Sequence, residues 1–215
     1  MSFLSKIAGK IYLLFAKKKF EKYNKKLTLQ FPIDLKTTDK ICIILPSTSK
    51  ALKEMILSIE KVLKKFKDEK ILIGVDFLEE HFKEYQNVIY IPYKREQGLR
   101  FLGQYKQIKK TLENTKALLD LSRQNEVWKI AVLSKIPYRF SGKSNLYPYF
   151  NIVYDLSEHF EDKLYSEKLV EFFLKFVKEE KEKNEKENKG GKNNQTIKSG
   201  NNRGKRKLSN STKNH

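Results

Sequence analysis

The stretch Pro46-Ser47-Thr48-Ser49 puts three hydroxyls in a row, directly after the apolar run 41–45 and directly before a helical pattern. A strand, a tight small-residue turn and a helix build the floor of many nucleotide and sugar sites. There the helix N-terminus offers unpaired N–H groups beside the turn's hydroxyls. Asp120 stands at the end of a second apolar run, 117–121. An Asp in that position either binds a sugar hydroxyl or caps the following turn. Arg123 and Arg139 have two readings as well: guanidinium forks for a phosphorylated acceptor, or ordinary exposed arginines on loops. Metal chemistry is not indicated. Cys42 is a lone cysteine in an apolar strand, and His81, His159 and His215 are scattered without ligand spacing. Gly-x-Gly-x-x-Gly and Gly-x-x-x-x-Gly-Lys-Ser/Thr are both absent, and so is Gly-x-Ser-x-Gly. No cofactor is therefore expected, and a dinucleotide enzyme, a P-loop NTPase and a serine hydrolase are disfavoured.

The elements that must position these residues alternate. Strand patterns occur at 41–45, 71–75, 88–91, 117–121 and 138–140, with a sixth candidate at 152–155. Between them Leu52, Met55, Ile56, Ile59, Val62, Leu63 and Phe66 keep helical spacing. So do Phe101, Leu102, Tyr105, Ile108 and Leu112, and a third stretch through Val127, Trp128, Ala131 and Val132. Short apolar strands alternating with helices predict βαβ units. The expected fold class is α/β: a single Rossmann-like domain with a mostly parallel sheet and helices on both faces. Ligands of such sheets bind beyond the carboxyl ends of the strands. That makes 46–50, 76–77, 92–98 and 122–125 the candidate site loops. The aromatic run NLYPYFNIVY (Tyr147, Tyr149, Phe150, Tyr154) can stack on a sugar or pack the last helix.

Three segments carry a family resemblance: KICIILPSTSKALKEMILSIEKVLKKF, KALLDLSRQNEVWKIAVLSKIPYRFSG and SGKSNLYPYFNIVYDLSEHF. Residues 40–156 resemble the N-terminal half of the family 9 glycosyltransferases, the heptosyltransferase-like enzymes of lipopolysaccharide synthesis, and so half of a GT-B fold. The resemblance implies a Ser-Ser-x-Gly-Asp turn whose Asp is the general base for the acceptor hydroxyl. On this sequence the serines fall at Ser47 and Thr48, the glycine at Lys50 and the acid at Ala51. Alanine accepts no proton, and a base must lie within hydrogen-bond reach of the attacking oxygen. Glu54, one helical turn or about 5 Å further on, is the weak candidate to replace it. The resemblance also implies a second domain for the nucleotide sugar. Here the chain leaves the domain near Asp155, and that domain is expected to be missing. The expectation is a glycosyltransferase-like protein, non-catalytic alone, with Ser47, Thr48, Ser49, Asp120 and Arg123 as ligand-binding residues. Two alternatives stay open: an active subunit that borrows a donor domain from a complete glycosyltransferase partner, and a basic nucleic-acid-associated protein.

Charge sits at the ends. The 215 residues carry a formal net charge of +19. Residues 1–26 and 190–215 each contribute +7 of it, so the body between is only mildly basic. In 1–26, Phe3, Leu4, Ile7, Ala8, Ile11, Leu14 and Phe15 share one helical face, with lysines following at Lys17, Lys18 and Lys19. The alternatives there are an anionic membrane surface, packing on the domain, or a signal peptide, which Gly9 and Lys10 interrupt. Residues 27–39 read as a linker and 157–189 as an amphipathic, then charged, helix whose apolar part starts near Ser166. Residues 190–215 read as a disordered basic tail, solubilising or able to bind RNA or acidic lipid. No run of about 18 apolar residues exists, so no ordinary transmembrane helix is expected. The expected location is cytoplasmic, peripheral on the inner membrane face.

Overall fold

The computed structural model describes residues 3–35, 39–66, 68–94, 105–156 and 159–177; for 3–10 and 105–107 it gives the backbone course alone. Among these residues six strands form one sheet: β1 (Lys40–Ile44), β2 (Lys70–Val75), β3 (Val88–Tyr93), β4 (Thr115–Asp120), β5 (Tyr138–Ser141) and β6 (Ile152–Val153). Their order is β3-β2-β1-β4-β5-β6, and every pairing is parallel. Strands covered on both faces need side chains that are apolar on both sides of the pleat. Accordingly Ile41 to Ile44, all of β2, and Ala117 to Asp120 are buried. Gly74 inside β2 is required by packing, because a Cβ there would lie 2.2 Å from the Tyr90 hydroxyl. That hydroxyl donates to the Val75 carbonyl at 2.8 Å. Pro92 lies in β3, at the sheet edge, where a missing N–H is tolerated.

Among the described residues five α-helices accompany the sheet: α1 (Phe3–Lys26), α2 (Ser49–Lys65), α3 (Tyr105–Thr111), α4 (Trp128–Ser134) and α5 (Asp162–Phe176). The expected helix through Phe101 is described from Tyr105 onward. From β1 the chain steps to β2 on one side, and from β4 it steps to β5 on the other. Right-handed crossovers in opposite directions put α2 and α4 on opposite faces. On one face Leu52, Met55, Ile59 and Val62 of α2 are buried, and α2 packs against α5, which buries Tyr165, Leu169, Val170 and Phe173. Ser166 donates to Ser58 across that seam at 3.1 Å. On the other face α4 packs against α1 and α3. The fold is thus the α/β, Rossmann-like arrangement that the sequence predicts, with all six strands parallel.

Residues Met1–Lys178 form one compact unit. The segment read as a linker is tied into it. Ile33 is buried, bridges Val177 in parallel, and donates its N–H to the Phe176 carbonyl at 2.6 Å. The charged extension from residue 178 and the basic tail 190–215 lie outside the described residues. Among the described residues, no helix is long and apolar enough to cross a membrane.

Candidate functional site

The chain reverses direction across the sheet between β1 and β4, and the loops leaving these neighbouring strands diverge there. In an open parallel sheet that switch point is where a ligand crevice forms. A cleft of ≈ 370 Å³ lies at this point. Thr48, Lys50, Ala51 and Glu54 line it from the start of α2, Arg123 from the loop after β4, and Phe160, Glu161 and Asp162 from the entry to α5.

Thr48 is the N-cap of α2. Its backbone is extended (φ −130°, ψ 147°), and its Oγ1 accepts the Ala51 N–H at 3.2 Å. The hydroxyl row therefore has a structural duty, since it satisfies one of the orphan donors of the first turn. Ser47 is half-buried, and Ser49 is exposed as the first helical residue; neither lines the cleft. Ala51 and Glu54, about one turn apart on α2, both line the cleft.

Arg123 is the cationic residue on the opposite side. Its φ of 57° is left-handed, a conformation that costs a non-glycine residue roughly 1 kcal/mol and persists only where its surroundings enforce it. Here the enforcement is visible. Nη1 donates to the Phe160 carbonyl at 2.8 Å and to Asp162 Oδ1 at 3.0 Å, and the guanidinium lies 4.8 Å from the centre of the Tyr165 ring. The Arg123 carbonyl accepts from Lys143 Nζ at 3.2 Å, and the same ammonium reaches Asn125 Oδ1 at 2.7 Å. Arg123 thus staples the β4 loop to the start of α5. Tyr165 fits beneath it because residue 142 is glycine: a Cβ there would meet the Tyr165 hydroxyl at 2.6 Å.

Asp120 lies behind the cleft, fully buried. Its Oδ1 accepts from the Ser122 N–H at 3.0 Å and the Ser122 hydroxyl at 2.7 Å, and its Oδ2 accepts from the Ser141 hydroxyl at 3.1 Å. Burial pushes its carboxyl up to about 6, against the pull of these hydrogen bonds and of Lys143. The carboxylate organises the turn that presents Arg123, and it does not line the cleft. Of the sequence candidates, the fold brings Thr48, Glu54 and Arg123 together and leaves Ser47, Ser49 and Asp120 around them.

Arg139 corrects both sequence readings, since it is neither exposed nor near the cleft. It is completely buried between β5 and α1. It donates to the carbonyls of Tyr149 (2.6 Å) and Ile136 and to Asn24 Oδ1, and its guanidinium lies 4.9 Å from the centre of the Phe20 ring. Burial lowers its pKa to about 10, which leaves it charged at neutral pH. The aromatic run divides. Tyr154 stacks on Phe172 of α5 with ring centroids 4.6 Å apart, and Tyr149 packs on Phe20 and Trp128. Of the other candidate loops, Asp76 accepts its neighbour's N–H, from Phe77, at 2.9 Å. Residues 95–98 lie outside the described residues.

Sequence reasoning missed the third wall, Phe160 to Asp162. Its signal was present: Asp162 is an acid in the first turn of α5, where it complements the helix dipole. Among the described residues no group of three or more His, Cys, Asp or Glu side chains is placed to hold a metal ion.

Comparison with known proteins gives no matching family model and no matching curated protein. Two solved structures are similar to this chain. One is the E. coli heptosyltransferase WaaC with ADP, at 10% identity and a TM-score of 0.49, covering 65% of this chain and 48% of that one. The other is the same E. coli enzyme with ADP-2-deoxy-2-fluoro heptose, at 10% identity and a TM-score of 0.48, covering 65% and 49%. This chain spans about half the length of the structures it matches.

Proposed function

We propose that this chain is a heptosyltransferase-like domain that holds a polyhydroxylated, sugar-bearing ligand at the switch-point cleft and does not transfer a sugar on its own. Its setting in this reading is cell-envelope glycan or lipopolysaccharide synthesis on the cytoplasmic side of the membrane, beside a complete glycosyltransferase. The composition of the cleft carries the reading. Its walls bring three carboxylates (Glu54, Glu161, Asp162), two cations (Lys50, Arg123) and the Thr48 hydroxyl. The guanidinium is already held by Asp162 and the Phe160 carbonyl. A polyphosphate would meet more acid than base there. Sugar hydroxyls, which both donate and accept, suit a mixed set of carboxylate, ammonium and hydroxyl. Ala51 stands on the wall where the resembled family has its acid, and a lost general base removes about 10²–10⁴-fold in rate.

A second reading rests on Glu54, which faces the same cleft: an active subunit that uses this carboxylate as base and a partner's donor domain. One assay separates the two. Purified protein is incubated with nucleotide-activated heptoses and hexoses and lipid A-type acceptors, with and without a complete glycosyltransferase, while saturation-transfer NMR follows free sugars. Weak sugar binding without turnover by this chain is the expected result. Turnover that disappears in Glu54→Gln would establish the second reading instead. No contact with any sugar would remove both.

A further inference from the structure

The helix α1 carries two faces with different work, and the inference from them does not depend on the reading of the cleft. One face is committed to the domain. Phe20 is 1% exposed, Ala16 packs against the core, and Tyr23 and Asn24 sit beside Arg139. At about 100° per residue, Ile11, Leu14, Phe15, Lys18, Lys19 and Lys22 fall on the opposite side. There Ile11 is 49%, Leu14 64% and Phe15 63% exposed, and Lys18, Lys19 and Lys22 are exposed too. Large apolar side chains gather on this outer face, and a block of lysines follows them along the same axis.

We propose that this outer face of α1 is a docking surface for an anionic lipid bilayer. Ile11, Leu14 and Phe15 enter the boundary between headgroups and acyl chains, and Lys18, Lys19 and Lys22 meet the lipid phosphates. An interfacial helix of this kind needs an apolar stripe, a cationic flank and a rigid attachment to its cargo. The first two are the outer face, and the buried Phe20–Arg139 contact is the third. Charge decides the occupant. Residues 17–26 hold six lysines against the single acid Glu21. A second copy docking face to face would gather both lysine blocks into one interface with only Glu21 of each copy to offset them. A single-stranded nucleic acid takes its stacking energy from aromatic and arginine planes, whereas this patch offers Ile, Leu and one Phe without arginine.

The test uses the full chain and co-sedimentation with vesicles of phosphatidylglycerol and phosphatidylcholine, or of phosphatidylcholine alone. Binding to the anionic vesicles is expected, with a loss of about tenfold on neutral vesicles or in high salt. Leu14→Ser/Phe15→Ser and Lys18→Glu/Lys19→Glu each lower partitioning by about tenfold or more. Both leave the thermal midpoint in place, because these side chains touch water already. Phe15→Trp supplies an independent readout, an emission blue shift on adding anionic vesicles. Vesicle binding that survives Leu14→Ser/Phe15→Ser would assign the attraction to the basic tail and overturn the proposal. Absence of the blue shift, RNA binding without vesicle binding, or a dimer that Leu14→Ser/Phe15→Ser dissociates in place of vesicle binding would overturn it as well.

Discussion

Asp120 ends β4 inside the protein, where its ionised form has lost its water and is held by two serines. Its folded-state pKa, pushed up to about 6, lies above the ordinary value near 3.9. The folded protein therefore keeps a proton that the unfolded chain releases, and stability falls as pH rises through that window. A carboxyl raised this far accounts for about 2–3 kcal/mol. The wild type is expected to gain that much relative to Asp120→Asn between about pH 7 and about pH 4, read by urea unfolding of both proteins. Asparagine retains an acceptor for Ser122 and does not titrate. A difference between the two proteins that stays flat with pH would remove the buried charge from the account. The sequence places Asp120 at the end of a strand and leaves its role divided between a sugar hydroxyl and a turn. What resolves the role is Ser141, which is brought beside it by the β4–β5 pairing and is 21 residues away along the chain. Register of that kind has no local signature.

The joint between α1 and β5 shows the same limit one level up. The periodicity of 1–26 announces a helix with an apolar face, yet Phe20, which anchors it, lies off that face. Its attachment depends on Arg139 and on Asn24, which are 115 residues apart. Nothing near Arg139 in the sequence marks it as buried, because its satisfaction comes from backbone carbonyls and an aromatic ring. Removing the guanidinium leaves the Tyr149, Ile136 and Asn24 acceptors without their donor and opens a void under Phe20. Arg139→Ala is expected to cost about 3–5 kcal/mol, and Phe20→Ala about as much. The two share one contact, so the double variant should cost less than both losses combined. Urea unfolding of the two single variants and the double variant gives the coupling directly. Full additivity would mean that the ring and the guanidinium act separately.

At the scale of the whole molecule, alternation of apolar runs and helical stripes is enough to announce a mostly parallel sheet with helices on both faces, because fully buried parallel strands read as continuous Val, Ile and Leu. The loops 46–50 and 122–125 that this pattern marks supply two walls of the cleft, while the order that sets β1 beside β4 and creates the switch point comes from pairings between segments distant in the chain. The third wall escapes because the periodicity of the last helix is strongest from Ser166, whereas α5 begins at Asp162. The polar first turn, which carries the cleft residue Asp162, has no apolar pattern to announce it. The same gap separates the sequence domain 40–156 from the compact unit Met1–Lys178. Phe20, Ile33, Tyr165, Leu169, Val170, Phe173 and Val177 lie outside those limits, and all seven are buried in the unit. At about 1.5–3 kcal/mol for each buried side chain, their loss matches or exceeds the roughly 5–15 kcal/mol that holds a typical domain together. A fragment of residues 40–156 also exposes the face of α2 that α5 covers, including Ser58. It is expected to be collapsed and aggregation-prone, without a cooperative urea transition or a near-ultraviolet dichroism signal. The chain cut after residue 177 should retain both. A fragment 40–156 that unfolds in a single sharp transition with the longer chain's denaturant dependence would show that α1 and α5 decorate the domain and do not complete it.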